Sequence, residues 1–176
     1  MAASAGSESM ERWRKIDAAP PERARVLLRE CCAADLWVER MLSRRPFGDR
    51  DRVLAAARDE WFRLLPDDWR EAFTHHPRIG DRETMRARFP TTRTLSEREQ
   101  AGISGASDDV LKALLDANAE YYQRFGFIFI VCASGKSAEE MLALLRARLV
   151  NDPAAELQVA AEEHAKICEL RLLSEI

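Results

Sequence analysis

Three stretches of the chain carry side chains whose types and spacing could do chemistry. The first is "THHPRIG" at residues 74–80. A histidine placed just before Pro77 sits where the chain is forced out of helical geometry. Its imidazole titrates near neutrality and can give or take a proton. The same position also suits an ordinary C-terminal helix residue favoured by the helix dipole. The second is "SEREQAG" at 96–102. Ser96, Glu99 and Gln100 stand at i, i+3 and i+4, so a helix would gather them on one side. Ser-x-x-Glu is also the capping box, in which both side chains satisfy amides at a helix start. The third is Arg171 in "KICELRL", which falls with His164 inside an apolar stripe of the last helix. A guanidinium on such a face needs an acceptor, because an unpaired buried charge is costly. An internal carboxylate or an anionic substrate would serve.

Other chemistry is argued against by spacing. "FGFIFIVCASGKS" at 125–137 ends like a phosphate-binding loop, but that loop needs a glycine five residues before Gly135, and Ile130 stands there. Nucleotide binding is therefore not expected. Cys31, Cys32, Cys132 and Cys168 show no metal or redox spacing, and they are read as reduced cytoplasmic thiols. His75, His76 and His164 form no His-Glu-x-x-His pattern, so no metal site is expected.

The elements that must position these residues read as helices. Pro20 and Pro21 lead into "ERARVLLRECCAADLWVERMLSRR", one helix or two abutting ones ending at Pro46. "DRDRVLAAARDEWFRLL" sets Val53, Leu54, Ala57, Trp61, Leu64 and Leu65 on one stripe bounded by Pro66. "DDWREAFTHH" is a short helix cut by Pro77. A further helix runs from a Ser107 cap to Gly126, and the last starts at an Asp152 cap with Pro153 in its first turn. In that last helix Leu157, Ala160, Ala161, Ile167 and Cys168 share one side, whereas Glu162, Glu163, Lys166 and Glu169 point away. Phe127 to Cys132 is strand-like but has no second strand to pair with, so it is read as a buried extended segment. The fold class is accordingly all-α: a single-domain helical bundle over 10–176, after a disordered tail at 1–9.

Composition is consistent with that. The chain has 176 residues, 47% of them hydrophobic and 32% charged, with a formal charge of −3. These values fit one globular domain and give no electrostatic footprint for nucleic acid. No apolar stretch approaches the ~20 residues of a membrane span, and "MAASAGSES" lacks the features of a secretory signal.

The order of motifs is more specific than any one of them. "RPF" at 45–47, "HPRIG" at 76–80, "SEREQAG", "NAEYYQRFGFIFIV" from Asn118 and the ending "RLVND…EL…E…KICELRL" resemble the 2-oxo-4-hydroxy-4-carboxy-5-ureidoimidazoline (OHCU) decarboxylases. The resemblance runs from about residue 15 onward. It implies cofactor-independent decarboxylation to (S)-allantoin in urate degradation, by a homodimer. It also implies that His76 is the catalytic acid with Glu99 as its partner. Pro77, Ser96, Gln100 and Arg171 would bind substrate, as would the backbone of Phe129, Ile130, Val131, Cys132 and Ala133. The chain departs from the family pattern at Ile128, where proline commonly follows Phe-Gly-Phe, and at the second histidine, His75. On the residues alone two other readings stay open: a non-catalytic helical binding module, and a thiol enzyme using Cys132 near His76.

Overall fold

The computed structural model describes residues 10–76 and 108–176. Eight helices and no strand occur among them, so the all-α expectation holds. The described residues fall into two compact units, one formed by 10–63 with 168–176 and the other by 64–76 with 108–167.

The first unit holds α1 (Arg12–Ala18), α2 (Pro21–Cys31), α3 (Asp35–Ser43) and α4 (Arg50–Phe62). The stretch that could have been one helix is two. Helix α2 stops where Cys32 turns extended, at φ −145° and ψ 126°, and Cys31, Cys32 and Ala34 are buried in the break. Trp37 anchors the interior, its indole N–H donating to the Ala57 carbonyl at 3.0 Å. The "RPF" motif ties back to the end of α1: the Asp17 carboxylate accepts the amides of Phe47 and Gly48, each at 3.0 Å, and the Arg45 guanidinium donates to the Asp17 carbonyl at 2.9 Å. Helix α1 carries Trp13 and Ile16 into the core and has no counterpart in the sequence reading.

One expectation for α4 is corrected. Val53, Ala57, Trp61 and Leu64 are buried as the stripe requires, but Leu65 is 71% exposed. The helix ends at Phe62, and Leu65 becomes the N-cap of the next one, so its side chain leaves the stripe. Pro66 opens that helix as well as closing the preceding segment.

The second unit holds α5 (Pro66–Thr74), α6 (Asp108–Phe125), α7 (Ala138–Arg148) and most of α8 (Pro153–Leu173). Helix α6 ends as expected at Gly126, whose φ of 77° suits a residue without a Cβ. Residues Phe127 to Ala133 follow as a buried, irregular segment. Gly135-Lys136-Ser137 is a turn and a cap rather than a phosphate loop. Gly135 has φ 76°, Ser137 Oγ accepts the Glu140 amide at 3.2 Å, and Glu140 Oε2 in turn accepts the Ser137 amide at 2.7 Å. Asp152 caps α8 by accepting the Ala154 amide at 2.9 Å. No helix among the described residues is long and apolar enough to cross a membrane.

Candidate active site

Helix α5 decides which of the two adjacent histidines is enclosed. Its buried face is Trp69, Ala72 and Phe73, at i, i+3 and i+4. Past Thr74 the last turn tightens, with the His75 amide on Ala72 O at 3.2 Å and the His76 amide on Phe73 O at 3.1 Å. His75 is left exposed, and His76 is buried at 9% exposure. The His76 ring meets the fully buried ring of His164, on α8, edge to face with centroids 4.9 Å apart.

An aromatic row links this position to the extended segment. Phe73 lies 5.7 Å from His164 and 5.5 Å from Phe127, centroid to centroid. Tyr121 takes Phe127 and Phe129 edge-on at 5.8 and 5.4 Å. Phe129, Ile130, Val131, Cys132 and Ala133 are all buried. Buried backbone polar groups need partners, and charged side chains supply several. Arg148 donates to the Ile130 carbonyl at 2.8 Å while its guanidinium stacks 4.7 Å from the Phe129 ring centre. Glu156, fully buried, pairs with Arg148 Nε at 2.7 Å and also accepts the Tyr121 hydroxyl and, at 2.7 Å, the Asn151 side-chain Nδ2. Burial, then the bond to Glu156, pushes the Tyr121 phenol well above its ordinary range.

Glu163 is a second correction. The helical projection turned it toward solvent, yet its Oε2 accepts the Cys132 amide at 2.8 Å. It stands only about 60° around the helix from Ala160, near enough to the buried face to reach the segment. Burial pushes its carboxyl up, but the bonds from Lys166 and the Cys132 amide outweigh that and hold it below the usual range. Cys132 itself is the opposite case: burial raises its thiol above the ordinary value. A protonated thiol is a poor nucleophile, so this environment does not favour a thiol enzyme.

The second unit thus holds His76 and the 129–133 segment among the expected site residues. Arg171 belongs to the first unit, where it is half-buried and donates from Nη1 to the Cys31 carbonyl at 3.4 Å. Pro77, Ser96, Glu99 and Gln100 lie outside the described residues.

Fold and geometry describe a helical protein whose described residues enclose a pair of histidines and a charged-residue-braced backbone segment. Comparison with known proteins gives that description a family. The OHCU decarboxylase family profile matches residues 17–173. The OHCU decarboxylase of Amia calva is 37% identical over 141 residues, covering 80% of this chain and 77% of that protein. "Uric acid degradation bifunctional protein TTL" of Arabidopsis thaliana is 36% identical over 143 residues; they cover 81% of this chain but 44% of that longer protein. A crystal structure of OHCU decarboxylase in the presence of (S)-allantoin superimposes with a TM-score of 0.71 at 34% identity, covering 88% of this chain and 96% of that one. The chain belongs to the OHCU decarboxylase family. Its relatives are named as decarboxylases and as proteins of uric acid degradation, and a purely binding helical module is set aside.

Proposed function

We propose that this chain decarboxylates 2-oxo-4-hydroxy-4-carboxy-5-ureidoimidazoline and delivers (S)-allantoin, with His76 as the acid. Family membership supports the reaction. The observation that carries the choice of acid is the enclosure of His76, against His164, next to an exposed His75. A proton donor acts on one face of a substrate only if water is kept from the other route.

The chemistry asks little of the protein beyond binding and proton delivery. The substrate holds a carboxylate and a hydroxyl on one ring carbon. Breaking the bond to the carboxylate releases carbon dioxide and leaves its electron pair on that carbon, where the adjoining unsaturated ring position can share it. The hydroxyl then gives up its proton to become the ring carbonyl, a proton is added at the adjoining ureido-bearing carbon, and the face it arrives on fixes the handedness. Positioning and charge stabilisation suffice as catalytic effects. The proposal takes no cofactor.

In this reading Glu99 fixes the hydroxyl or polarises the carbon beside His76. Arg171 takes an anionic or carbonyl group, since its planar fork suits such acceptors. Pro77, Ser96 and Gln100 orient the ring, and the backbone of residues 129–133 supplies further hydrogen bonds. Residues 10–176 act as one decarboxylase domain, in a cytoplasmic homodimer.

The test is the decay of freshly generated substrate followed by its absorbance. A saturable acceleration over the uncatalysed decay is expected, and decay unchanged by the protein would refute the proposal.

A further inference from the structure

Three successive peptide groups in the extended segment are fixed by charged side chains, each through one atom. Arg148 Nη1 holds the Ile130 carbonyl at 2.8 Å, Glu163 Oε2 holds the Cys132 amide at 2.8 Å, and Lys136 Nζ holds the Cys132 carbonyl at 2.7 Å. A trans peptide unit is planar, with its N–H and C=O pointing opposite ways. Holding one group of a plane therefore aims the other. The bond from Arg148 aims the Val131 amide, the bond from Glu163 aims the Val131 carbonyl, and the bond from Lys136 aims the Ala133 amide.

Glu163 has a further distinction within this set. Its neighbour on α8 is His164, whose ring lies against His76 at 4.9 Å. Two consecutive residues of one helix thus touch the candidate acid and the candidate substrate-facing backbone. Their spacing is set by a rigid helical turn. The Glu163 side chain is 15% exposed, while Lys166, which donates to its other oxygen at 2.5 Å, is 54% exposed. Lys166 holds the carboxylate from the solvent side, leaving Oε2 for the amide. A carboxylate accepting an amide makes a charge-assisted bond, stronger than a neutral one.

We propose that Glu163 is a positioning residue of the decarboxylase: by holding the Cys132 amide it fixes the Val131–Cys132 peptide plane in register with His76. This rests on the reading that residues 129–133 meet the substrate through backbone. It also takes the Cys132 amide out of the donors offered to substrate, and makes the Val131 carbonyl the group whose direction Glu163 sets.

The test pairs kinetics with a substrate-free readout in Glu163→Ala and Glu163→Gln. Misplacement of a binding group by about 1 Å can cost about a hundredfold, so Glu163→Ala should lose roughly ten- to a hundredfold in kcat/KM. Glu163→Gln keeps an oxygen acceptor for the amide and should recover most of that loss. Hydrogen exchange at the Cys132 amide should speed up at least about tenfold in the alanine variant, the bond being gone, and much less in the glutamine variant. Unchanged kcat/KM in Glu163→Ala, or unchanged exchange at that amide, would overturn the proposal. A glutamine variant as slow as the alanine one would overturn it too, because the charge itself would then be acting on the reaction. If the wild-type protein failed to accelerate decay at all, the proposed reaction would fall, and the exchange arm alone would still decide whether Glu163 holds the segment.

Discussion

The ring of His76 meets the ring of His164 edge to face at 4.9 Å, a contact that His75, exposed one residue earlier, is not placed to make. The pair joins the end of α5 to the middle of α8 within one unit. It separates the two adjacent histidines by environment, although their side chains are chemically identical. His76→Ala should lose at least about a hundredfold in rate, the usual scale for removing a general acid, with circular dichroism unchanged. His75→Ala should keep most activity. Equal losses from both substitutions would contradict the assignment.

Glu99 sets a cap against a catalyst. Glutamine serves a capping box nearly as well as glutamate, so as a cap alone Glu99→Gln should shift stability by at most about 0.5–1 kcal/mol and leave turnover intact. A group that fixes the hydroxyl by its charge cannot be replaced in that way. The expected result is near-wild-type melting with a rate loss on the order of a hundredfold. Normal turnover would return the residue to the cap.

The Glu156–Arg148 pair carries a stability prediction. Both residues are buried, at 0% and 8% exposure, and joined at 2.5 Å. Removing one partner leaves the other charge uncompensated, at a typical cost of about 3–5 kcal/mol. Glu156→Ala should show a loss of that order in urea denaturation, because it strands Arg148 and releases the Tyr121 hydroxyl together. Arg148→Met combined with Glu156→Leu should cost less than Glu156→Ala alone. A double variant no more stable than the single one would show that the pair is not the source of the loss.

Alkaline pH gives a prediction with a definite sign. Burial pushes the Cys31 thiol from 9.0 up to about 12, against the opposing charges of Arg12 and Arg171. Unfolded chains ionise this thiol near pH 9 while folded chains keep it protonated, so the unfolded state binds fewer protons there. The contribution is fully present below about pH 9 and is lost as pH rises toward about 12. Cys31→Ala should flatten the fall in stability over that window by up to about 1.4 kcal/mol per pH unit. An unchanged slope would mean that the thiol is not buried as described.

Much of this architecture was legible in the sequence because local signals agreed with the packing. Gly126 stops α6, Ser137 and Asp152 cap their helices, and the run after Phe127 stays irregular, with no strand among the described residues for it to pair with. The ending "RLVND…EL…E" was readable only as a resemblance. The structure gives those letters physical work: Arg148, Asn151 and Glu156 form the buried network, and Glu163 holds the Cys132 amide. Helical projection could not supply this, because a charged residue at the margin of an apolar stripe reads as solvated until its acceptor or donor is known. Leu65 failed for a related reason: the stripe rule assumes an unbroken helix, and the chain leaves α4 three residues before it. Helix α1 is seven residues long and has no side-chain cap, so neither periodicity nor capping announces it.

The handedness of the product tests the central claim most directly. Freshly generated substrate, decarboxylated with and without the protein, would be followed by circular dichroism of the allantoin formed. Uncatalysed decay gives racemate and no lasting signal. If His76 delivers its proton within an enclosed site, the wild-type protein should give (S)-allantoin in excess, and His76→Ala should return the racemate. Racemic allantoin from the wild-type protein, at whatever rate, would contradict the account.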